Sequence, residues 1–156
     1  MKNLLVTLLC ITLISCTPEV LDKTEPLSIA KTILIAYKAK DLKTLSSFTY
    51  AQSENSAHKK LLNEMIEQGD KHPKYNFLWK GWRMDAVNNW DGNSLEVIRE
   101  DSIGSKNRRS RVKFGESEIS ISGTEKTIED YVVTLDWKDG AWYFQDIHSP
   151  SRAIEN

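Results

Sequence analysis

The chain has 156 residues, with 21 Lys and Arg against 22 Asp and Glu, so its formal net charge is −1. A balance this close to neutral excludes a protein that is drawn to nucleic acid or to an anionic surface by global charge. Both cysteines, Cys10 and Cys16, lie near the start, so the rest of the chain has no thiol for a disulfide, a metal site or a nucleophile, and its stability depends on a packed core.

The first segment has the order of an export signal: the basic residue Lys2, then an apolar run over residues 4–14, then small residues. The segment closes with Leu13-Ile14-Ser15-Cys16. This tetrapeptide resembles the lipobox of bacterial lipoproteins, which implies that residues 1–15 are removed and that a diacylglyceryl group is attached to Cys16. An uncleaved anchor is disfavoured because the apolar run is well short of the ~20 residues that span a bilayer.

The residue after the lipobox cysteine is Thr17 rather than aspartate. In Gram-negative lipoproteins this pattern resembles outer-membrane sorting, so the resemblance implies a lipid-anchored protein of the bacterial cell envelope that faces the periplasm, at the outer membrane rather than the inner one. Its first partner is then the lipid bilayer, through acylated Cys16. Acyl chains contribute about 0.8 kcal/mol per buried CH₂, so several chains form a stable anchor.

Helical patterns follow this signal. Residues 16–25 are predicted as a tether, residues 26–150 as a single domain, and residues 151–156 as a C-terminal tail. The first helix has Thr24 as its predicted N-cap and Pro26 in its first turn. Its apolar face contains Leu27, Ala30, Ile33, Leu34 and Tyr37. A second short helix is predicted to be capped by Asp41, and a third to run from about Ser53 to a stop at Gly69.

Strand patterns follow the helical ones. After Pro73, apolar residues alternate with others, which predicts a strand that carries Tyr75, Phe77 and Trp79. These aromatics are interpreted as core, with stacking on a flat ligand as the alternative. Asp91-Gly92 predicts a turn, and Asp139-Gly140 predicts a tight hairpin between residues 127–137 and 141–147. Helices followed by strands predict an α+β domain with N-terminal helices packed on a curved antiparallel sheet.

Two segments together resemble a known domain type. They are LSIAKTILIAYKAKDLKTLSSF near the start and VVTLDWKDGAWYFQDI at the end, where the matching positions are Val133, Leu135, Asp139, Gly140 and Trp142. The pattern resembles a small NTF2-like, or cystatin-like, domain of the kind found in bacterial lipoproteins, over roughly residues 26–147. The resemblance implies a cone-shaped sheet with a cavity. It implies no particular activity, because this fold carries enzymes, binding proteins and interaction modules alike.

The Asp139-Gly140 turn predicts the register of the last hairpin. The predicted facing pairs are Trp137 with Trp142, Leu135 with Phe144, Val133 with Asp146, and Tyr131 with His148. Period two then places Tyr131, Asp146 and His148 together at the polar end of an apolar face, where a phenol, a carboxylate and an imidazole can transfer protons. The alternative is that the strand end meets solvent, or that a β-bulge changes the register.

Two further surfaces have alternative interpretations. One strand face carries Arg109, Arg111 and Lys113. It is interpreted either as a surface that binds lipid phosphates or an acidic protein, or as a solvated edge of the sheet. In the second case its charges are balanced by Glu116, Glu118 and Glu125. The opposite hairpin face carries Ile128, Val132 and Ile147, with Val132 facing Ile147. That face is covered by another element or by a second copy in a weak homodimer, or its apolar residues are scattered and exposed.

Other chemistry has no support in the sequence. His58, His72 and His148 lack metal-ligand spacing, and no nucleotide-binding or hydrolase motif is present, so we expect no metal, cofactor or nucleic-acid partner. The sequence therefore predicts a non-catalytic accessory lipoprotein that binds a small ligand or a protein. Two alternatives remain: an NTF2-like enzyme that uses Tyr131, Asp146 and His148, and a self-associating structural lipoprotein.

Overall fold

The structure is a computed structural model that describes residues 22–50, 57–103, 107–120 and 126–153. Within these described residues, five helices precede five strands, which confirms the predicted α+β order. The helices are α1 (Pro26–Lys38), α2 (Leu42–Phe48), α3 (Ala57–Gln68), α4 (Tyr75–Leu78) and α5 (Trp82–Asn89), with a 3-10 turn at Gly69–Lys71. The strands are β1 (Glu96–Ile103), β2 (Asn107–Ser120), β3 (Lys126–Lys138), β4 (Ala141–His148) and β5 (Ser151–Ala153).

The strands form one antiparallel sheet. Strands β1 to β4 lie side by side in chain order, and β5 pairs with the part of β3 that extends beyond β4. A register shift interrupts each of the three main ladders. Such shifts bend a strand and increase its local twist, which accounts for the curvature of the sheet. The helices cover one face of the sheet, and α1 lies at the centre of the core.

The core combines one face of α1 with the inner face of the sheet. Its fully buried aliphatic side chains include Ile29, Ile33, Leu34, Leu45, Val87, Val112, Val133, Leu135 and Ile147. Complete burial of one such side chain stabilises the folded chain by about 1.5–3 kcal/mol.

The predicted cap of α1 is wrong by one residue. Glu25 is the N-cap and Pro26 opens the helix. The polar groups of Thr24 are engaged elsewhere: its main-chain N–H and its hydroxyl both donate to the Asp22 carboxylate, at 2.8 and 2.6 Å. Its carbonyl accepts a 2.9 Å hydrogen bond from Trp142 Nε1. Thr24 therefore fastens the start of the domain to β4 rather than capping α1.

The other predicted helix signals agree with the structure where residues are described. The Asp41 side chain accepts a 3.1 Å hydrogen bond from the Thr44 N–H and caps α2. Helix α3 ends at Gln68, directly before Gly69, whose φ of +59° favours glycine. The predicted start of α3 near Ser53 lies outside the described residues.

The predicted strand at residues 75–80 is wrong. Residues Tyr75–Leu78 form the single turn of α4, and Trp79 follows in the core. The alternation covered only six residues and had Leu78 at one of its polar positions, so it suits a short helical turn equally well. The three aromatics also separate: Trp79 is buried, Tyr75 is half-buried, and Phe77 is 83% exposed.

The last hairpin follows the predicted register only near its turn. Asp139 and Gly140 both have positive φ, 49° and 81°, as a two-residue primed turn requires. Trp137 faces Trp142 and Leu135 faces Phe144, as predicted. Beyond these pairs the register shifts, because Gln145 is an extra residue on β4.

This bulge overturns the remaining predicted pairs. Ile147 faces Val133, and His148 faces Val132, so the predicted pairs Val133 with Asp146, Tyr131 with His148 and Val132 with Ile147 are wrong. The physical reason is burial. The bulge places the Ile147 side chain in the core, 1% exposed, where the unshifted register would have placed the carboxylate of Asp146. Burying an unpaired charge costs far more than a local bend in one strand.

Candidate functional site

The three predicted catalytic residues do not form one cluster. Tyr131 lies on the helix-facing side of the sheet, where its ring stacks on Trp82 with centroids 5.8 Å apart. His148 lies on the opposite face, since it pairs with Val132. Its Nδ1 is 3.1 Å from the Thr134 hydroxyl. The bulge therefore separates the phenol of Tyr131 from the imidazole of His148 by the thickness of the sheet.

The environment of His148 favours its neutral form. Partial burial lowers the pKa of this imidazole, and the nearby carboxylate of Asp146 opposes that change. The guanidinium groups of Arg111, Arg83 and Arg109 lower the pKa further. His148 therefore serves as a neutral hydrogen-bonding partner of Thr134 within a basic face.

The predicted basic face is confirmed, and its charges are paired within the sheet. The guanidinium of Arg109 forms two hydrogen bonds with Asp136, from Nε at 2.7 Å and from Nη2 at 3.1 Å. Arg111 lies 2.8 Å from Asp101. Lys113 pairs with Asp130 at 2.9 Å, and also with Glu116, one of the predicted acidic partners. Glu125 lies outside the described residues. Internal pairing supports the solvated-edge interpretation over the phosphate-binding one.

The apolar outer face predicted for a second copy is mostly covered. Val132 is 0% exposed although it points away from the helices, and Ile147 belongs to the core. Ile128 is half-buried. Of these three side chains only that of Ile128 is partly exposed, so this face offers little apolar surface to a second copy.

A concave feature with an apolar lining lies among the helices instead. An open cleft of about 430 Å³, called here the helical cleft, is formed by α1, α3, α4 and α5. Its lining residues are Tyr37, Leu61, Met65, Lys74, Phe77, Leu78, Lys80 and Arg83. A second space of about 190 Å³, called here the inner cavity, extends towards β4. Its lining residues are Tyr37, Leu45, His58, Leu62, Leu78, Arg83, Phe144, Asp146 and Ile147.

Tyr37 forms part of the wall between the two spaces. Its side chain is 3% exposed, and its hydroxyl donates a 2.8 Å hydrogen bond to the Leu78 carbonyl. Burial raises the pKa of this phenol to about 12. Trp79 packs edge-on against the Tyr37 ring, with centroids 5.2 Å apart. The phenol therefore stays protonated and holds the single turn of α4 against α1.

Arg83 also contributes to both spaces. Its Nε donates a 2.7 Å hydrogen bond to the Ile147 carbonyl on β4, and its Nη2 lies 3.8 Å from Asp146 Oδ1. Its guanidinium also lies over the Trp82 ring, 5.0 Å from the centroid. The same Asp146 oxygen accepts a 2.8 Å hydrogen bond from the Ile147 N–H. These contacts fix the guanidinium at the junction of helix and sheet.

His58 borders the inner cavity. Its ring meets the ring of Phe144 edge-on, with centroids 6.2 Å apart. Although the residue is largely exposed, partial loss of solvation lowers the pKa of the imidazole, and the carboxylate of Asp146 opposes this effect. The inner cavity thus contains a neutral imidazole and a carboxylate that is already occupied by Arg83 and a main-chain N–H.

Sequence reasoning missed the helical cleft. The segment that carries Lys74, Phe77 and Lys80 was interpreted as a strand, on which Lys80 would lie on the opposite face from Phe77. On the single turn of α4 and its flanks, residues three apart lie on the same side. The spacing Lys-x-x-Phe-x-x-Lys between Pro73 and Gly81 is the signal that could have indicated this rim.

No family model matches this chain, and neither does any curated protein or any solved structure. Among the described residues, no helix is long and apolar enough to cross a membrane. Within residues 22–50, 57–103, 107–120 and 126–153, no group of three or more His, Cys, Asp or Glu side chains is arranged to hold a metal ion.

Proposed function

We propose that this protein is a lipid-anchored, periplasm-facing lipoprotein whose NTF2-like domain is a non-catalytic binding module, and that it binds a small ligand in the helical cleft. The observation that carries the proposal is an apolar cleft with an exposed aromatic residue at its mouth. Phe77 is 83% exposed at the edge of this cleft. An exposed aromatic beside a concave apolar surface is typical of a binding site.

The size and lining of the helical cleft support this function. Its volume of about 430 Å³ lies within the range of about 300–1,000 Å³ that is usual for small-molecule sites. Leu61, Met65 and Leu78 supply an apolar floor from α3 and α4. Such a floor gives affinity by burial of apolar surface, while a few polar groups at the edge give orientation.

The polar groups near the cleft favour binding over proton transfer. The Tyr37 hydroxyl is committed to the Leu78 carbonyl, and its pKa of about 12 makes it a poor general acid or base near neutral pH. Asp146 is engaged by Arg83 and by the Ile147 N–H. The alternative enzyme would use Tyr131, Asp146 and His148, which lie on two faces of the sheet rather than around one cavity.

The start of the domain is compatible with a short tether. The main-chain N–H of Trp142 donates a 3.0 Å hydrogen bond to the Lys23 carbonyl, and Trp142 Nε1 donates to the Thr24 carbonyl. The chain is thus fixed to β4 within two residues of the predicted tether end. If the lipid on Cys16 is in the bilayer, the residues from Cys16 to Lys23 span at most ~25 Å, which limits the distance between this end of β4 and the membrane.

Photo-crosslinking of a neutral apolar probe tests the binding function. The acylated full chain is held in lipid nanodiscs with a diazirine-bearing dodecanol, and labelled peptides are mapped by mass spectrometry. We expect saturable labelling around residues 74–83. Leu61→Trp, which fills the cleft, and Phe77→Ala should each reduce this labelling about tenfold, given the free energy of burying one large apolar group.

The matched control for this test is Ile35→Ala, because Ile35 is 52% exposed on α1 and does not line the cleft. Ile35→Ala should be labelled to the same extent as the wild type. Labelling spread evenly over the surface, or unchanged in Leu61→Trp, would contradict a ligand site in the helical cleft.

A further inference from the structure

The helical cleft has an apolar floor and a cationic rim. Its lining includes three basic side chains, Lys74, Lys80 and Arg83, and among the described residues its lining includes no carboxylate. The chain as a whole carries a net charge of −1, so this excess of positive charge is local and does not follow from composition. Lys74 and Lys80 are both exposed, and they precede and follow α4 in the chain.

These lysines differ from the basic residues of the sheet. Arg109, Arg111 and Lys113 each have a carboxylate partner within 3 Å. Lys74 and Lys80 form no ion pair with any residue in the part of the chain that the structure describes. The sheet face is therefore neutralised internally, whereas the rim of the cleft has unpaired positive charge.

The third cation of the rim is held in place. Arg83 is fixed by the Ile147 carbonyl at 2.7 Å and by stacking on Trp82, while its contact with Asp146 is longer, at 3.8 Å. A guanidinium with donors to spare, oriented by a main-chain hydrogen bond, is suited to bind a carboxylate or a phosphate. Lys74 and Lys80 add point charges around it.

We propose that the helical cleft selects amphipathic anions, with the apolar part of the ligand on Leu61, Met65 and Leu78 and its carboxylate or phosphate group between Lys74, Lys80 and Arg83. This inference depends on the proposed binding function and names the ligand class of the same site. An anion neutralises the rim, a neutral ligand leaves it uncompensated, and a cationic ligand is repelled by it.

Competition between ligands with the same apolar chain tests the selection. The acylated full chain in nanodiscs is labelled with diazirine-bearing dodecanoate. The unlabelled competitors are dodecanoate, dodecyl phosphate, dodecanol and dodecyltrimethylammonium. Dialysis against empty nanodiscs sets all four to equal free concentrations. We expect the two anions to compete at least about fivefold better than dodecanol, with the ammonium compound weakest. Raising the salt concentration should reduce this difference. A preference between dodecanoate and dodecyl phosphate identifies the head group.

Variants separate the contribution of the rim charges to binding from the contribution of the apolar floor. Lys74→Gln combined with Lys80→Gln should weaken dodecanoate about fivefold and leave dodecanol unchanged. The control pair is Lys31→Gln with Lys60→Gln, which are exposed on α1 and α3 and do not line the cleft. This control pair should change the competition of neither dodecanoate nor dodecanol.

Two negative outcomes are distinguishable. Equal competition by dodecanoate and dodecanol in the wild type, with labelling still confined to the cleft, overturns the selection of anions and leaves the binding function in place. The absence of saturable labelling by either probe overturns both proposals.

Discussion

Arg83 on α5 donates a hydrogen bond from Nε to the main-chain carbonyl of Ile147 on β4, at 2.7 Å. Ile147 is the residue that the bulge of β4 places in the core. One side chain therefore connects the helical cleft to the shifted end of the sheet.

Arg83→Met should lower the free energy of unfolding by about 1–2 kcal/mol, because it leaves the Ile147 carbonyl without its charged donor. Urea denaturation followed by tryptophan fluorescence measures this value. The control is Arg99→Met on β1, whose side chain is 65% exposed and whose ion pair with Asp101 contributes little. Equal losses in the two variants would show that Arg83 is only a surface charge.

Tyr37→Phe should lower the free energy of unfolding by about 1–2 kcal/mol, since it removes the hydroxyl that donates to the Leu78 carbonyl. Chemical denaturation again provides the measurement. Tyr75→Phe is the matched control, because Tyr75 packs on Trp79 and no hydrogen bond of its hydroxyl is observed within the described chain. If both phenylalanine variants are as stable as the wild type, Tyr37 does not hold α4 in place.

Gly140→Ala should destabilise the fold by about 1 kcal/mol, because Gly140 has a φ of 81° and an alanine is strained there. Gly140→Asn should cost less, since asparagine adopts positive φ more readily. Thermal and urea unfolding of the two variants measure the difference. Identical stabilities would contradict the primed turn.

Asp91 should make stability depend on acid pH. Hydrogen bonds from the Ser94 hydroxyl and from the main-chain N–H groups of Ser94 and Asn93 hold the pKa of Asp91 at about 2, against an ordinary value of 3.8. The folded state thus favours the charged form. The stabilisation is present above pH 3.8 and is lost as the pH falls towards 2.

The variant Asp91→Asn tests this dependence. Above pH 4, Asp91→Asn should have a lower free energy of unfolding than the wild type. This difference should shrink between pH 4 and pH 2, as measured by urea titrations. Glu96→Gln controls for the loss of one negative charge near the same turn. A difference that stays constant over this range would rule out the carboxylate as its source.

Cys16→Ala should abolish acylation and leave the precursor uncleaved after Ser15. Metabolic labelling with an alkyne fatty acid, followed by electrophoresis and mass spectrometry, detects both changes. Cys10→Ala is the control, because it removes the other cysteine from a region that the lipobox interpretation discards. Acylation that survives in Cys16→Ala would contradict the lipid anchor.

Local signals were sufficient for much of the fold. Asp41 caps α2, Gly69 follows the end of α3, and Asp139-Gly140 forms the predicted hairpin turn. In each case the cause is contained in a few neighbouring residues, such as a side-chain acceptor beside free N–H groups or a positive φ. The same locality explains the failure at residues 75–80, where six residues of alternating character fit a strand or a short helical turn.

The candidate site required information that the sequence does not contain locally. The bulge at Gln145 arises from a competition between Ile147 and Asp146 for one core position, and it separates Tyr131 from His148. The cleft brings Tyr37, Leu61 and Arg83 together from three helices. Neither arrangement is visible as a spacing along the chain.

The order of helices before strands and the turn of the last hairpin follow from residues that are neighbours in the chain. The lipobox at Cys16 is a local pattern of the same kind, and it stays a prediction. The tertiary structure alone decided which face Asp146 and Ile147 occupy, which basic residues find a carboxylate, and which remain unpaired around the cleft. These outcomes depend on burial and on charges from distant segments, and both are defined only once the chain is packed.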